Sequence, residues 1–149
     1  MFNIVLVEPE IPPNTGNIGR LCLATGSTLH LVKPLGFSLD DRQLRRAGLD
    51  YWHEVPLQLW DSFDALQRAQ SVEARYFFLT TKTQFPYYRV NFRNKDFFVF
   101  GRETKGLPHK LLAANTDNCI TIPMYGTRSL NLATAVAVVL FEAVRQQQV

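Results

Sequence analysis

Four stretches of this chain place glycine, amide, hydroxyl and charged side chains directly after short apolar runs, and these are the residues able to do chemistry. They are Pro13–Arg20 (PNTGNIGR), Leu79–Lys82 (LTTK), Gly101–Pro108 (GRETKGLP) and Ile122–Gly126 (IPMYG), the last leading into Ser129–Leu132 (SLNL). Gly101 follows FFVF and, lacking a Cβ, allows close backbone approach by a ligand, while Gly106 lets its loop fold back. Ile122 precedes Pro123 and is held extended, so its backbone groups are free to meet a ligand. Ser129-Leu130-Asn131, read as a helix start, offers backbone N–H groups to an anion such as a carboxylate. Together these residues describe a pocket walled by main chain, suited to an adenine and a small zwitterionic tail.

Several familiar chemistries are absent. The first stretch spaces its glycines G-x-x-G, not G-x-G-x-x-G, and the next apolar run ends in His30, Val32 and Lys33 with no acid for ribose hydroxyls, which excludes an ordinary dinucleotide site. Neither a G-x-x-x-x-G-K-[ST] phosphate loop nor a G-x-S-x-G nucleophile elbow occurs. His30, His53 and His109 stand outside any motif and read as structural or surface residues. Cys22 and Cys119 sit far apart in apolar stretches, with neither a disulfide framework nor zinc-site spacing, so the expectation is a reduced, cytoplasmic protein without a metal.

The elements that must position these stretches alternate. Asn3–Val7, Thr28–Val32, Tyr76–Thr80, Phe97–Phe100 and Asn118–Ile122 are short apolar runs without polar alternation, as in strands buried on both faces. Between them, Thr15 is placed to cap a helix that Gly26 ends, and Asp40 or Asp41 opens a short helix that Gly48 closes. Ser62–Ala69 forms a third, Pro108–Ala114 a fourth, and Ser129 caps a long final helix to about Gln146. The pattern predicts an α/β fold, a mainly parallel sheet with helices on both faces. No repeat, linker or composition break divides the 149 residues, so one domain spans 1–149. The last helix is unusual: from Leu130 to Val144 only Asn131, Thr134 and Glu142 are not apolar. A helix on one sheet should keep a polar stripe for water, so a second surface is expected here, most economically that of a symmetric homodimer.

Charge is unevenly placed. The formal net charge is +3, but Tyr76–Asn115 holds Lys82, Arg89, Arg93, Lys95, Arg102, Lys105 and Lys110 against only Asp96 and Glu103. This basic stretch, with a second cluster at Arg42, Arg45 and Arg46, suits a polyanionic partner. The apolar start before Glu8 is too short for a signal peptide, and Leu132–Val144 falls short of the ~20 residues of a membrane span.

Three ordered motifs carry a resemblance over essentially the whole chain: N-x-G-x-x-x-R at Asn14–Arg20, F-G-x-E-x-x-G-L at Phe100–Leu107, and I-P-M…S-L-N-L-A at Ile122–Ala133. With the opening FNIVLVEPEIPPNTGNIGRLC and the stretch DDRQLRRAGLDY, the chain resembles the SPOUT superfamily of RNA methyltransferases and, within it, the compact TrmL/YibK-type tRNA 2′-O-methyltransferases. The resemblance implies a deep C-terminal trefoil knot, an exception to ordinary connection rules. It further implies a homodimer packed through knot-region helices, and S-adenosyl-L-methionine held by Leu79, Thr80, Gly101, Glu103, Ile122, Met124, Ser129 and Leu130.

The implied reaction moves a methyl group to the ribose 2′-hydroxyl of the wobble nucleotide, cytidine or uridine, on a tRNA anticodon stem-loop. A sulfonium donor brings its own leaving group, leaving alignment and removal of the hydroxyl proton to the protein. Arg20 is the expected catalytic residue; because a guanidinium stays protonated, it would bind a flanking phosphate and favour the developing alkoxide, the proton leaving to a phosphate oxygen or water. Its structural alternative is a salt bridge to Glu8 or Glu10. Asn14 is expected to shape the loop that presents Arg20, Asn131 to orient the ribose or loop backbone, and Glu103 to receive the donor's amine or hold Arg102. Tyr125 is a candidate for stacking an anticodon base. The competing readings are a non-catalytic dimeric RNA- or nucleotide-binding module of the same fold, and 2′-O-methylation of rRNA.

Overall fold

The computed structural model describes residues 1–148, with the backbone alone for Asp50. Six strands, β1 (Asn3–Val7), β2 (Thr28–Val32), β3 (Leu57–Trp60), β4 (Tyr76–Leu79), β5 (Phe97–Phe100) and β6 (Cys119–Ile120), form one sheet in the order β3-β2-β1-β5-β4-β6. Every pairing is parallel; β1 runs beside β2 from Asn3 opposite Thr28 and beside β5 from Asn3 opposite Phe97. Because side chains alternate across a strand, Ile4, Leu6, Phe98 and Phe100 bury on one face against Ile18, Cys22, Val136, Val139 and Leu140. Val5, Val7, Phe97 and Val99 bury on the other against Leu66 and Leu112. The first layer comes from α1 (Pro12–Thr25) and α5 (Leu132–Gln147), the second from α3 (Phe63–Arg68) and α4 (His109–Ala113). The α/β architecture with a parallel sheet and helices on both faces is therefore as expected.

Several boundaries move, each for a local reason. The first helix starts at Pro12, not Thr15: Pro12 and Pro13 fill its first positions, where a missing N–H costs nothing. Thr15 is instead buried, its hydroxyl without a partner. α2 (Arg42–Ala47) is capped by Asp41, whose Oδ1 accepts from the N–H groups of Gln43 and Leu44, and Gly48 closes it. The final helix is capped by Asn131 rather than Ser129; its Oδ1 accepts from the Thr134 N–H at 3.2 Å. Pro108 is the cap of α4 and not its first residue. β3 is not among the expected strands: LQLW is only four residues long, interrupted by Gln58, and lies half-exposed at the sheet edge, so it lacks the longer continuous apolar run of the buried strands. Among the described residues no helix is long and apolar enough to cross a membrane.

The last strand is shorter than expected because its continuation pairs elsewhere. Ile120 accepts a hydrogen bond from the Thr80 N–H on the β4 side. One residue on, the Thr121 N–H donates to Phe85 and its carbonyl accepts from Tyr87. The segment thus runs between the end of β4 and the loop that follows β4, gripped from both sides.

Candidate active site

In a parallel sheet, ligands bind beyond the carboxyl ends of the strands where the strand order reverses. Here β1 leads outward to β2 and β3, and its other neighbour is β5, so the crevice opens between the loops after β1 and β5. A cavity of about 590 Å³ lies there, within the 300–1,000 Å³ range common for small-molecule sites. Its wall comes from Ile11 and Asn14, the turn after β4 (Leu79–Lys82), the loop after β5 (Phe100–Leu107), the segment from Thr121 to Leu132, and Ala135.

All eight residues expected to surround a methyl donor line this cavity: Leu79, Thr80, Gly101, Glu103, Ile122, Met124, Ser129 and Leu130. Asn14 and Asn131 line it as well, and Arg20 does not. Arg20 is exposed on α1, one residue beyond the buried Gly19, and forms no ion pair with Glu8 or Glu10. Thr81 and Lys82, within the LTTK stretch but given no role there, also line it, and sequence reasoning missed Thr121 and Arg128; Arg128 lies inside the third motif, directly before Ser129.

One hydrogen-bonded chain joins the three motif segments. The Glu103 carboxylate accepts from the backbone N–H groups of Glu10 (2.8 Å) and Ile11 (2.9 Å) and from Asn14 Nδ2 (3.3 Å). Asn14 Oδ1 in turn accepts from Asn131 Nδ2 at 2.9 Å. The exchange is reciprocal: Glu10 accepts from the Thr104 N–H and hydroxyl and from Arg102 Nη2. These bonds, from the Thr104 hydroxyl first, hold the Glu10 carboxyl below its usual pKa. Glu103 therefore spends its acceptors on the N-terminal approach to α1, and Arg102 is held by Glu10 and not by Glu103. Asn14 is almost fully buried, which makes this a fixed scaffold and not a flexible surface contact.

Gly101 lines the cavity and also has a role within its own loop. A Cβ there would collide with the backbone of Gly106 and Leu107. The close approach is made by the loop's own return, sealed by paired hydrogen bonds between Arg102 and Gly106. Gly106 turns at φ +67°, as the fold-back requires. The backbone N–H and C=O groups of Ile122, Met124 and Leu130, all cavity-lining residues, make no backbone hydrogen bond within the described residues. Leu107, Leu132 and Ala135 add apolar side chains to the same lining.

The basic stretch from Tyr76 to Asn115 does not form one surface. Lys82, Arg102 and Lys105 reach the cavity, whereas Arg93 and Lys95 lie at the amino edge of the sheet beside Met1, Asn3 and Asp96. β5 crosses the sheet between the two groups, so neighbours in sequence end at opposite edges. Among the described residues no group of three or more His, Cys, Asp or Glu could hold a metal ion.

The fold, the cavity and the joined motif segments define a class. A model of the SpoU rRNA Methylase family matches residues 1–141, and this chain belongs to that family. It is 51% identical over 148 residues to the tRNA (cytidine(34)-2′-O)-methyltransferase of Methylovorus glucosotrophus (strain SIP3-4), covering 98% of this chain and 96% of that one. It is 50% identical over 149 residues to the protein of the same name from Burkholderia cenocepacia (strain HI2424), with 98% and 96% covered. A solved structure described as giving structural insights into the 2-OH methylation of C/U34 on tRNA matches with a TM-score of 0.94 at 47% identity, over 98% of this chain and 95% of that one. The fold is shared with the SpoU methyltransferase AviRb from Streptomyces viridochromogenes in complex with the cofactor AdoMet (TM-score 0.85, 24% identity, 97% and 57% covered).

Proposed function

We propose that this protein transfers a methyl group from S-adenosyl-L-methionine to the ribose 2′-hydroxyl of the wobble nucleotide, cytidine or uridine 34, of a tRNA, working in the cytoplasm as a homodimer. The observation that carries the reading is the cavity closed by all three motif segments, tied through Glu103, Asn14 and Asn131. Family membership and relatives at about half identity over nearly the full chain support the reaction and its substrate.

The residues present fit the donor. An adenine needs a flat apolar slot with backbone partners, which Leu107, Ala135 and the unspent backbone groups of Ile122, Met124 and Leu130 offer. Leu79, Thr80, Gly101 and Ser129 would complete the enclosure. Bound there, the donor supplies an electrophilic methyl group on a sulfonium. The protein's own tasks are to hold the ribose in line and to ease loss of its hydroxyl proton. Lys82, Lys105 and Arg128 give the cavity a positive lining for the incoming phosphodiester chain. Arg20, exposed on α1 outside the lining of this cavity, carries five N–H donors and no acceptor, so it binds a phosphate of the substrate, and in a homodimer it could be offered to the alkoxide forming in the second copy's cavity, while phosphate or water takes the proton. Asn14 and Asn131 act as positioning residues through their mutual hydrogen bond.

Two further features belong to this reading. The reading includes the C-terminal trefoil knot that the family resemblance implies; the hydrogen bonds of Thr121 with Phe85 and Tyr87, next to that from Thr80 to Ile120, support it by holding this segment against the loop after β4. The outer stripe of α5, with Thr134 and Phe141 exposed, is the surface offered to a second copy. Incubation with methyl-labelled S-adenosylmethionine and total tRNA, followed by mapping of the labelled nucleotide, tests the function. Label on the 2′-oxygen of nucleotide 34 is expected. Donor binding without transfer to any RNA would make the protein a binding module, and label in rRNA alone would replace the substrate.

A further inference from the structure

A second concavity, of about 640 Å³, lies away from the cavity just described, between α2 and the 3₁₀ segment Leu49–Glu54. Its rim carries Arg42, Arg45, Arg46 and His53 with Asp40, and its floor is Leu49 and Trp52. We infer that this groove is a phosphodiester-binding site for the RNA strand beside the reacting nucleotide, so that the protein holds its substrate at two points on one rigid body. The inference rests on the reading of the chain as a tRNA methyltransferase.

Spacing and charge point to a polyanion. Positions 42, 45 and 46 share one face of α2, where residues three and four apart are neighbours. All three guanidinium groups are exposed, and among the described residues none enters a salt bridge or side-chain hydrogen bond. The carboxylate next to Arg42, that of Asp41, is occupied in capping α2. Three planar donor forks above an indole and a leucine suit phosphates bound at the rim and a sugar or base face laid on the floor. An acidic peptide would match the charge but would not need the indole platform.

Backbone geometry builds the site deliberately. Leu49 adopts φ +52°, a left-handed conformation that costs a branched residue about 1–2 kcal/mol and collects at functional positions. That turn swings Trp52 back under α2, against Gly48, where a Cβ would meet Trp52 at 3.1 Å.

Coupling to the methyl-transfer cavity runs through α1. A Cβ on Gly16 would strike the Leu44 carbonyl and Ala47 of α2, and a Cβ on Gly19 would lie 2.7 Å from the Trp52 ring. Asn14, in the first turn, lines the cavity. At 1.5 Å per residue, only about 7.5 Å of helix axis separates Asn14 from Gly19. Arg20, the next residue of α1, is exposed. Cavity and groove thus lie against the same helix, so a nucleic acid strand whose ribose enters the cavity needs to follow only a short length of α1 to reach the groove.

The test replaces two charges without reversing them: Arg45→Gln/Arg46→Gln, with Arg45→Lys/Arg46→Lys as the conservative pair. Fluorescence anisotropy with unmodified tRNA over a range of salt concentrations reads affinity independently of methyl transfer. The Gln pair should bind about tenfold more weakly, and its plot of log affinity against log salt should be shallower by about 1.4–1.8, the release expected for two phosphate contacts. The Lys pair should keep most of the salt slope, and the loss in turnover should appear in KM for tRNA. Arg42→Gln, in the first turn of α2, repeats the measurement should the double variant fail to fold. Unchanged affinity and slope would overturn the inference. So would unchanged tRNA binding with altered sedimentation, which would make the groove a protein interface. If the wild-type protein bound tRNA but transferred no methyl group, the function would fall while the anisotropy series still decided the groove.

Discussion

Arg20 and His30 show how differently two ionisable side chains can be used ten residues apart. Arg20 has no side-chain partner among the described residues and stands on the outside of α1, so its value is for something that arrives. Arg20→Ala should abolish transfer to tRNA while donor affinity, read by calorimetry, stays nearly unchanged; equal loss of both would make it part of the cavity or the fold. His30 is the reverse case. Its Nε2 lies 2.9 Å from Asn3 Oδ1, the Trp60 indole N–H donates to its Nδ1, and burial pushes its pKa from 6.5 down to about 4. The unfolded chain takes up a proton as the pH falls through 6.5, and the folded chain only near 4. Stability contributed by the neutral ring is therefore present above pH 6.5 and is lost between 6.5 and 4, by about 3 kcal/mol at most. Urea unfolding of the wild type from pH 7 to 4 should lose more stability than His30→Gln by that order; parallel profiles would refute it.

Among the elements, α1 is the one on which the rest is hung. Its N-terminus is tied to the loop after β5 through Glu103, its Asn14 to the cap of α5, and its glycines to α2 and Trp52. Gly16 makes the competition of effects plain. Alanine is worth about 1 kcal/mol more than glycine inside a helix, so propensity alone favours Gly16→Ala. A methyl group there meets the Leu44 carbonyl and Ala47, and overpacking against backbone costs about 1–3 kcal/mol. The clash should win: Gly16→Ala should lower Tm by several degrees, and a raised Tm would show that α2 gives way. Element type was readable wherever an apolar run was continuous, as in NIVLV, TLHLV and FFVF. Ends were less so. Thr15 and Ser129 are good capping residues by type, yet the prolines and Glu103 start α1, and Asn131 caps α5 because the same amide must also meet Asn14.

For the whole molecule, the decisive surface is the outer side of α5. Its buried stripe of Val136, Val139, Leu140 and Ala143 packs on the sheet, while Phe141 is 46% exposed in the single chain. The apolar excess seen in the sequence is thus only partly used within the chain. Sedimentation at micromolar concentration should find twice the 17.1 kDa chain mass, and Phe141→Glu should shift it toward the single chain with loss of transfer. A wild-type protein that sediments only as a monomer would sink the dimer.

Residue types and their spacing were enough to declare the parallel α/β sheet, the four chemically armed strand ends and the family, because buried runs and motif order are local properties of the chain. Ten of the eleven expected site residues line one cavity for the same reason: strand ends of a parallel sheet must gather at one edge. Tertiary structure alone decided what those residues touch within the chain. It tied Glu103 to the approach to α1, set Gly101 against its own loop, and split the basic stretch between opposite edges of the sheet. The Glu103 tie depends on partners about 90 residues apart and the split of the basic stretch on which way a strand crosses the sheet, and neither is recorded in a local pattern; the Gly101 contact is local but depends on how tightly its loop returns.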